Sequence, residues 1–251
     1  DDPKMASLAK WLLDKHGDDK KLKDDPRAYA LLYDFIWGCK EIPAQSPQQL
    51  NIPLTQKLGL GQIVMRSSWD DAATRLTFWA QKWWLAPHAH YDQASFTIEK
   101  YGPLALDGGV DKGGGFDMGK SKYSRATINH NVIGVRNPLE KGNELLDYQM
   151  DVDSEADIYT DPSYQPNGKN HVGEIEAFES IAGQYDYLNY NYTRSYRGGQ
   201  SVNLARRELV YLRPPNPHAP NDQEFVVITD RLNTVKAEYE KRFMLHSSFQ
   251  S

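Results

Sequence analysis

Two histidines and an aspartate alternate in the stretch His88-Ala-His90-Tyr-Asp92. On an extended backbone, alternate side chains share a face. These residues would then present two imidazoles and a carboxylate together, a set suited to metal ligation or proton transfer. Two further motifs follow, Gly102-Pro-Leu-Ala-Leu-Asp107-Gly-Gly and Ile128-Asn-His130-Asn-Val-Ile, at distances a small antiparallel sheet can bring together. Three of the chain's seven histidines fall between residues 88 and 130. His90, Asp107 and His130 come from three successive candidate strands, so their side chains can converge on one cation. Two imidazoles and a carboxylate suit Zn²⁺, with water completing a tetrahedron.

A rival set is His90, Asp92 and His130. Its His-x-Asp…His order is that of the facial triad of non-haem iron oxygenases on jelly-roll sandwiches, although nothing else in the chain points to oxygen chemistry. The remaining alternative for each residue is an ordinary hydrogen-bonded place in a sheet.

The elements that must position these groups divide into two parts. Residues 1–58 read as a helical segment and connector. Met5, Leu8, Trp11 and Leu12 form an i, i+3, i+4 stripe that predicts a helix over Met5–His16, closed by Gly17. A second helix is predicted from Asp25-Pro26 to Gly38 on the face of Ala28, Leu31, Leu32, Phe35 and Ile36. Glu41 to Leu58 is rich in Pro and Gln and reads as an extended connector. From Gly59 to the end, segments alternate or carry β-branched and aromatic residues. Strands are predicted at Gln62–Arg66, Thr74–Gln81, Ser95–Glu99, 132–135, 145–152, 172–181, 187–193, 203–212, 225–230 and 239–246. Turn-rich stretches separate them, and no predicted helix intervenes. The fold class is therefore mainly β: an antiparallel β-sandwich over 59–251 preceded by a short helical segment.

Composition narrows the functions. The chain has 251 residues, a net charge of −5, and 12% aromatic residues including 15 Tyr and 6 Trp. The acidic balance argues against a general nucleic-acid binder. No apolar run approaches a membrane span, and no signal peptide is evident. With one cysteine, Cys39, the chain has no internal disulfide. Aromatic surfaces suit sugar binding as well as a core. The sequence opens Asp-Asp-Pro and closes on what reads as a strand in progress, so a processed or incomplete chain is expected.

The motifs taken together are recognisable. Trp69-Asp-Asp-Ala-Ala-Thr, His88-Ala-His90-Tyr-Asp92-Gln-Ala-Ser95-Phe, Gly102-Pro-Leu-Ala-Leu-Asp107-Gly-Gly and His130-Asn-Val-Ile resemble, in order, the heparinase II/III-like polysaccharide lyases. Downstream, Ala205-Arg-Arg-Glu-Leu-Val-Tyr, Val226-Val-Ile-Thr-Asp230-Arg231 and Lys241-Arg-Phe-Met-Leu-His246-Ser are similar to later strands of that family's sandwich. One departure is Ala94, where the family usually has Gly.

The resemblance implies that the helical segment is the tail of an α/α toroid. It also implies that His90, Asp107 and His130 hold a metal, usually zinc, while His88 faces the substrate. The implied activity is β-elimination at a uronic acid of an anionic polysaccharide, in a periplasmic or secreted enzyme. Because the family's principal phenol comes from the toroid, Tyr123 is the local candidate acid or base. Tyr91, Arg66 and Arg125 are candidates for contact with the anionic sugar. The competing class is a non-catalytic, metal-stabilised carbohydrate-binding sandwich.

Overall fold

The computed structural model describes residues 2–16, 42–59, 61–83, 90–108, 126–136, 171–196, 201–216 and 222–248. The chain divides into two compact units, 1–53 and 54–251.

In the first unit, helix α1 spans Pro3–His16, two residues longer at its start than its apolar stripe indicates. Asp2 explains the extension: its carboxylate accepts the Lys4 N–H at 2.9 Å, and Pro3 takes the first helical position, where no N–H is needed. Within the stripe, Met5 is 57% and Leu12 45% exposed, while Leu8 and Trp11 are half-buried. The second predicted helix lies outside the described residues.

The second unit is an antiparallel β-sandwich. Strands β1 (Thr55–Lys57), β2 (Gln62–Arg66), β3 (Arg75–Trp79), β4 (Phe96–Glu99) and β5 (Pro103–Ala105) form one sheet in that order. Strand β6 (Ile133–Arg136) leaves this sheet and pairs with β11 (Glu240–Phe243). Strands β7 (Glu174–Ile181), β8 (Tyr185–Asn191), β9 (Val202–Leu212) and β10 (Phe225–Thr234) form the other main sheet in the order β10-β9-β8-β7. Two short strands, β1 and β5, fall where no strand is predicted, one in the stretch read as connector and one across Pro103. The predicted strand 145–152 lies outside the described residues.

Period-two alternation builds the core. On β2 and β3, Ile63, Met65, Leu76 and Phe78 turn inward and are essentially fully buried. On β8 and β9, the same parity buries Asp186, Leu188 and Tyr190 opposite Tyr211, Leu209 and Arg207. The Phe78 and Tyr190 rings meet edge to face with centroids 6.0 Å apart, joining the two sheets. The Tyr196 hydroxyl donates to the Ile133 carbonyl, which ties β6 to the tyrosines of the other sheet.

Two ion pairs sit on the inward parity. Asp186 pairs with Arg213, and Arg207 pairs with Asp230. A charge facing the core is costly unless it is paired and hydrogen-bonded, and both pairs meet that condition. The Asp186 carboxylate also accepts from Thr55 Oγ1 at 2.7 Å and Ser180 Oγ at 2.5 Å.

Candidate active site and metal centre

The three proposed ligands lie on loops at strand ends, not within strands. His90 precedes β4, Asp107 lies two residues past β5, and His130 follows the 3₁₀ turn Thr127–Asn129. The expected extended run through His88–Asp92 is not continued: the chain bends at Tyr91 and turns through Gln93 and Ala94. The Ser95 N–H donates to the Asp92 carbonyl at 2.9 Å, and Ala94 adopts φ 67°. A positive φ at the third residue is what a type II turn demands, and glycine is the residue that adopts it without strain. Ala94 therefore occupies a position whose backbone favours glycine.

The loops bring the ligands together in pairs. His130 Nδ1 lies 3.0 Å from Asp107 Oδ1; an N–H on that nitrogen donates to the carboxylate. The His90 and His130 rings have centroids 5.2 Å apart and planes inclined by 46°. His130 is fully buried, whereas the Asp107 side chain is 33% exposed, so the pair reaches solvent through its carboxylate.

Both separations suit a shared tetrahedral zinc. Zn–N and Zn–O bonds of about 2.0–2.1 Å place donor atoms about 3.3 Å apart and two imidazole centroids about 5 Å apart. Among the described residues, no three His, Cys, Asp or Glu side chains are already arranged to hold an ion. Closing the trio therefore requires a side chain to reorient.

The surrounding loops are clamped to one another. Flanking Asp107, Leu106 N–H donates to the His246 carbonyl at 3.1 Å and Gly108 N–H to the Asn129 carbonyl at 2.7 Å. His246 Nε2 lies 2.9 Å from the Ile128 carbonyl. A Cβ at Gly108 would stand 2.8–2.9 Å from the His246 ring and Asn129 Oδ1, so only glycine fits there without displacement. Thr127 Oγ1 donates to the Tyr91 carbonyl at 3.1 Å, joining the His130 and His90 loops.

Asn131 does more. Its Nδ2 donates to the Phe96 and Leu106 carbonyls at 2.8 and 3.1 Å, and its Oδ1 accepts the His246 N–H at 2.7 Å. Three strand ends thus meet on one buried amide beside His130.

Asp92 is buried beneath this cluster. Burial pushes its carboxyl up to about 7; nearby Asp107 raises it further and His130 opposes the rise. Among the described residues, no hydrogen-bond partner reaches its buried Oδ1. The carboxylate at hydrogen-bond distance from His130 is that of Asp107.

Arg66 sits elsewhere. It pairs across the ladder with Arg75, whose own partner is Glu99, while the His90 loop joins β4 at Phe96, opposite Phe78. Three residues of strand, about 10 Å, separate those levels. The Arg66 guanidinium lies 5.0 Å over the Trp69 ring. Its pKa is lowered by burial first and by Arg75 next. Tyr91 adjoins His90 and is half-buried. His88, Tyr123 and Arg125 lie outside the described residues.

The residues that support the loops were not singled out from sequence: Asn131, His246, Arg207 and Asp230. For two of them a signal existed. Arg207 shares the parity of Ala205, Leu209 and Tyr211, and Asp230 that of Val226, Ile228 and Leu232, so each is a charge at an inward-facing strand position.

No protein-family profile and no curated protein matches the chain. Solved structures similar to it include the heparan sulfate lyase HepC from Pedobacter heparinus, 19% identical with a TM-score of 0.46, covering 84% of this chain and 26% of that one. A mutant of that lyase gives 19% identity, a TM-score of 0.48 and coverage of 85% and 26%. A heparinase III gives 17%, 0.41, 70% and 21%. The chain thus spans about a quarter of the length of these structures. Among the described residues, no helix is long and apolar enough to cross a membrane.

Proposed function

We propose that this chain is the sandwich portion of a secreted or periplasmic polysaccharide lyase of the heparinase II/III-like type. It would cleave a uronic-acid-containing polymer by β-elimination, with His90, Asp107 and His130 holding zinc. What supports this reading is a pairwise approach from separate loops: His130 Nδ1 lies 3.0 Å from Asp107 Oδ1, and the His90 and His130 ring centroids are 5.2 Å apart. Those residues belong to the ordered motifs that resemble the family.

In the reaction, a base removes the proton alpha to the uronate carboxylate, and the electron pair forms the new carbon–carbon double bond. The bond to the glycosidic oxygen breaks as an acid protonates that oxygen. The alpha proton is weakly acidic, so donors must neutralise the carboxylate as the carbanion-like state forms. His88 is assigned to face the substrate and Tyr123 to exchange the proton, with Tyr91 and Arg125 as contacts to the anionic sugar; Arg66, at the far end of its strand, has no part in this assignment. A bound zinc would supply a fixed positive charge that locks the three loops. The Thr127–Tyr91 bond holds the backbone next to His90, and the Leu106 and Gly108 N–H bonds hold the backbone on either side of Asp107, so these loops are aligned by the chain's own residues.

The test is elemental analysis of the purified, dialysed chain, followed by ultraviolet detection of unsaturated uronide from a panel of uronic-acid polymers headed by heparan sulfate. One zinc per chain, lost in His90→Ala, together with unsaturated product, is the expected result. Zinc and sugar binding without product would replace the lyase with the binding-module reading. Iron with oxygen consumption would replace it with the oxygenase. A folded chain without metal would overturn the ligand assignment.

A further inference from the structure

We infer that Arg207 is the positioning residue of this site: one nitrogen of its guanidinium fixes the spacing between the loops that carry His90 and His130. The inference rests on the reading of those histidines as metal ligands. Arg207 Nη1 donates to the Ala94 carbonyl and to the Asn131 carbonyl, each at 2.7 Å. Ala94 closes the turn that follows His90, and Asn131 is the residue after His130. The two loops therefore converge on a single atom contributed by the opposite sheet.

That atom is itself held rigidly. Nε and Nη2 of Arg207 donate to the two carboxylate oxygens of Asp230 at 2.8 and 2.7 Å, a bidentate fork. The guanidinium carbon lies 5.5 Å from the Phe96 ring and 5.6 Å from the Phe243 ring, stacked between an element of each neighbouring sheet. Arg207 is fully buried. Its planar fork cannot rotate to follow one loop without breaking the bond to the other or to Asp230.

Core stability alone does not call for this arrangement. Replacing a buried ion pair with apolar side chains of similar volume is often neutral or stabilising. What apolar residues cannot supply is a pair of aimed donors to the two loop carbonyls. Lysine, a flexible point charge, cannot reproduce the fork. Arg207 and Asp230 therefore set loop register, and the metal site inherits it.

The test uses the full chain carrying Arg207→Met with Asp230→Leu. The sandwich should fold and melt near the wild-type temperature. Zinc affinity, read by competition with a chromophoric chelator, should fall about 10–100-fold, the size of effect expected of outer-shell partners. The cobalt(II) absorption spectrum should change with it. A folded variant with wild-type zinc affinity and an unaltered cobalt spectrum overturns the inference.

A metal-independent readout separates this from failure of the metal reading. The nuclear Overhauser contact between the His90 and His130 rings should be present in wild type and lost in the variant, with or without zinc. Its persistence overturns the positioning role even if wild type binds no metal. Should the double variant not fold, the Arg207 guanidinium N–H signals of the metal-free wild type are followed instead. They should be resolved and slow to exchange with solvent; signals that exchange as fast as those of exposed arginines overturn the role equally.

Discussion

Replacing Asp92 by asparagine isolates the electrostatic cost of the carboxyl buried beneath His130. Asp92 is 7% exposed, and burial carries its pKa from an ordinary 3.8 to about 7. The direction fixes the sign. Because the folded-state value is raised, the native protein binds the proton more tightly than the unfolded chain between about pH 4 and pH 7, and stability falls as pH rises through that interval. Below about pH 4 the carboxyl is protonated in both states, and above about pH 7 it is ionised in both, so the effect is flat outside the window. The interval from 3.8 to about 7, at about 1.4 kcal/mol per pH unit, gives a ceiling of about 4 kcal/mol.

His130, Asp107 and Tyr190 lie near Asp92 in both proteins. The difference between wild type and Asp92→Asn removes most of their contribution. The assay is urea unfolding at a series of pH values from 4 to 8 with chelator present, so that no ion competes for the carboxylates. Asp92→Asn is expected to gain about 2–4 kcal/mol relative to wild type across that range, on top of any constant offset from the amide. A difference curve that stays flat, or that slopes the other way, would refute burial as the dominant influence on Asp92.

Four further outcomes are expected. Asp186→Ala strands Arg213, Thr55 and Ser180 around a buried position where the two charged side chains are 0% and 2% exposed. It should cost about 3–5 kcal/mol in chemical unfolding. Gly108→Ala sets a methyl against the His246 ring and Asn129 Oδ1; it should cost about 1–3 kcal/mol and weaken zinc binding in the chelator competition, because Asp107 must move with it. At Ala94, with φ 67° and no exposure, a β-branched side chain is barely tolerated, so Ala94→Val should lower the melting temperature sharply. Ala94→Gly should be close to neutral, since relief of about 1 kcal/mol of left-handed strain is offset by the loss of about 0.8 kcal/mol of buried methyl.

Much of the sandwich was legible because burial alternates with period two where a sheet has one wet face. Gln62–Arg66, and β9 from Ala205 to Tyr211, show inward residues at every second position, the pattern that sequence alternation reads directly. β1 and β5 were not legible for the complementary reason: each has three residues, too few to establish a period, and β5 begins at a proline, which sequence rules discount within strands. α1 was legible in position but not in burial. Of the stripe that predicts the helix, Met5 and Leu12 remain exposed and Leu8 and Trp11 are only half-buried.

The site shows a sharper limit. His90, Asp107 and His130 stand out as candidates because each lies in a short motif of chemically suggestive residues. The geometry that brings them together is set from a distance: Arg207 lies 113 positions from Ala94 and 76 from Asn131 along the chain. No local window contains that relation. What the sequence does contain is its trace, an Arg and an Asp on the inward parity of β9 and β10, facing each other across the ladder as Arg207 and Asp230. A charge at a position that alternation assigns to the core must find partners there. Once the first partner is found in Asp230, the remaining donors of a planar guanidinium have few places to point but at backbone carbonyls of loops packed over the sheet. Inward-parity charges are therefore a better guide to what supports a site than further searching among the exposed residues around it.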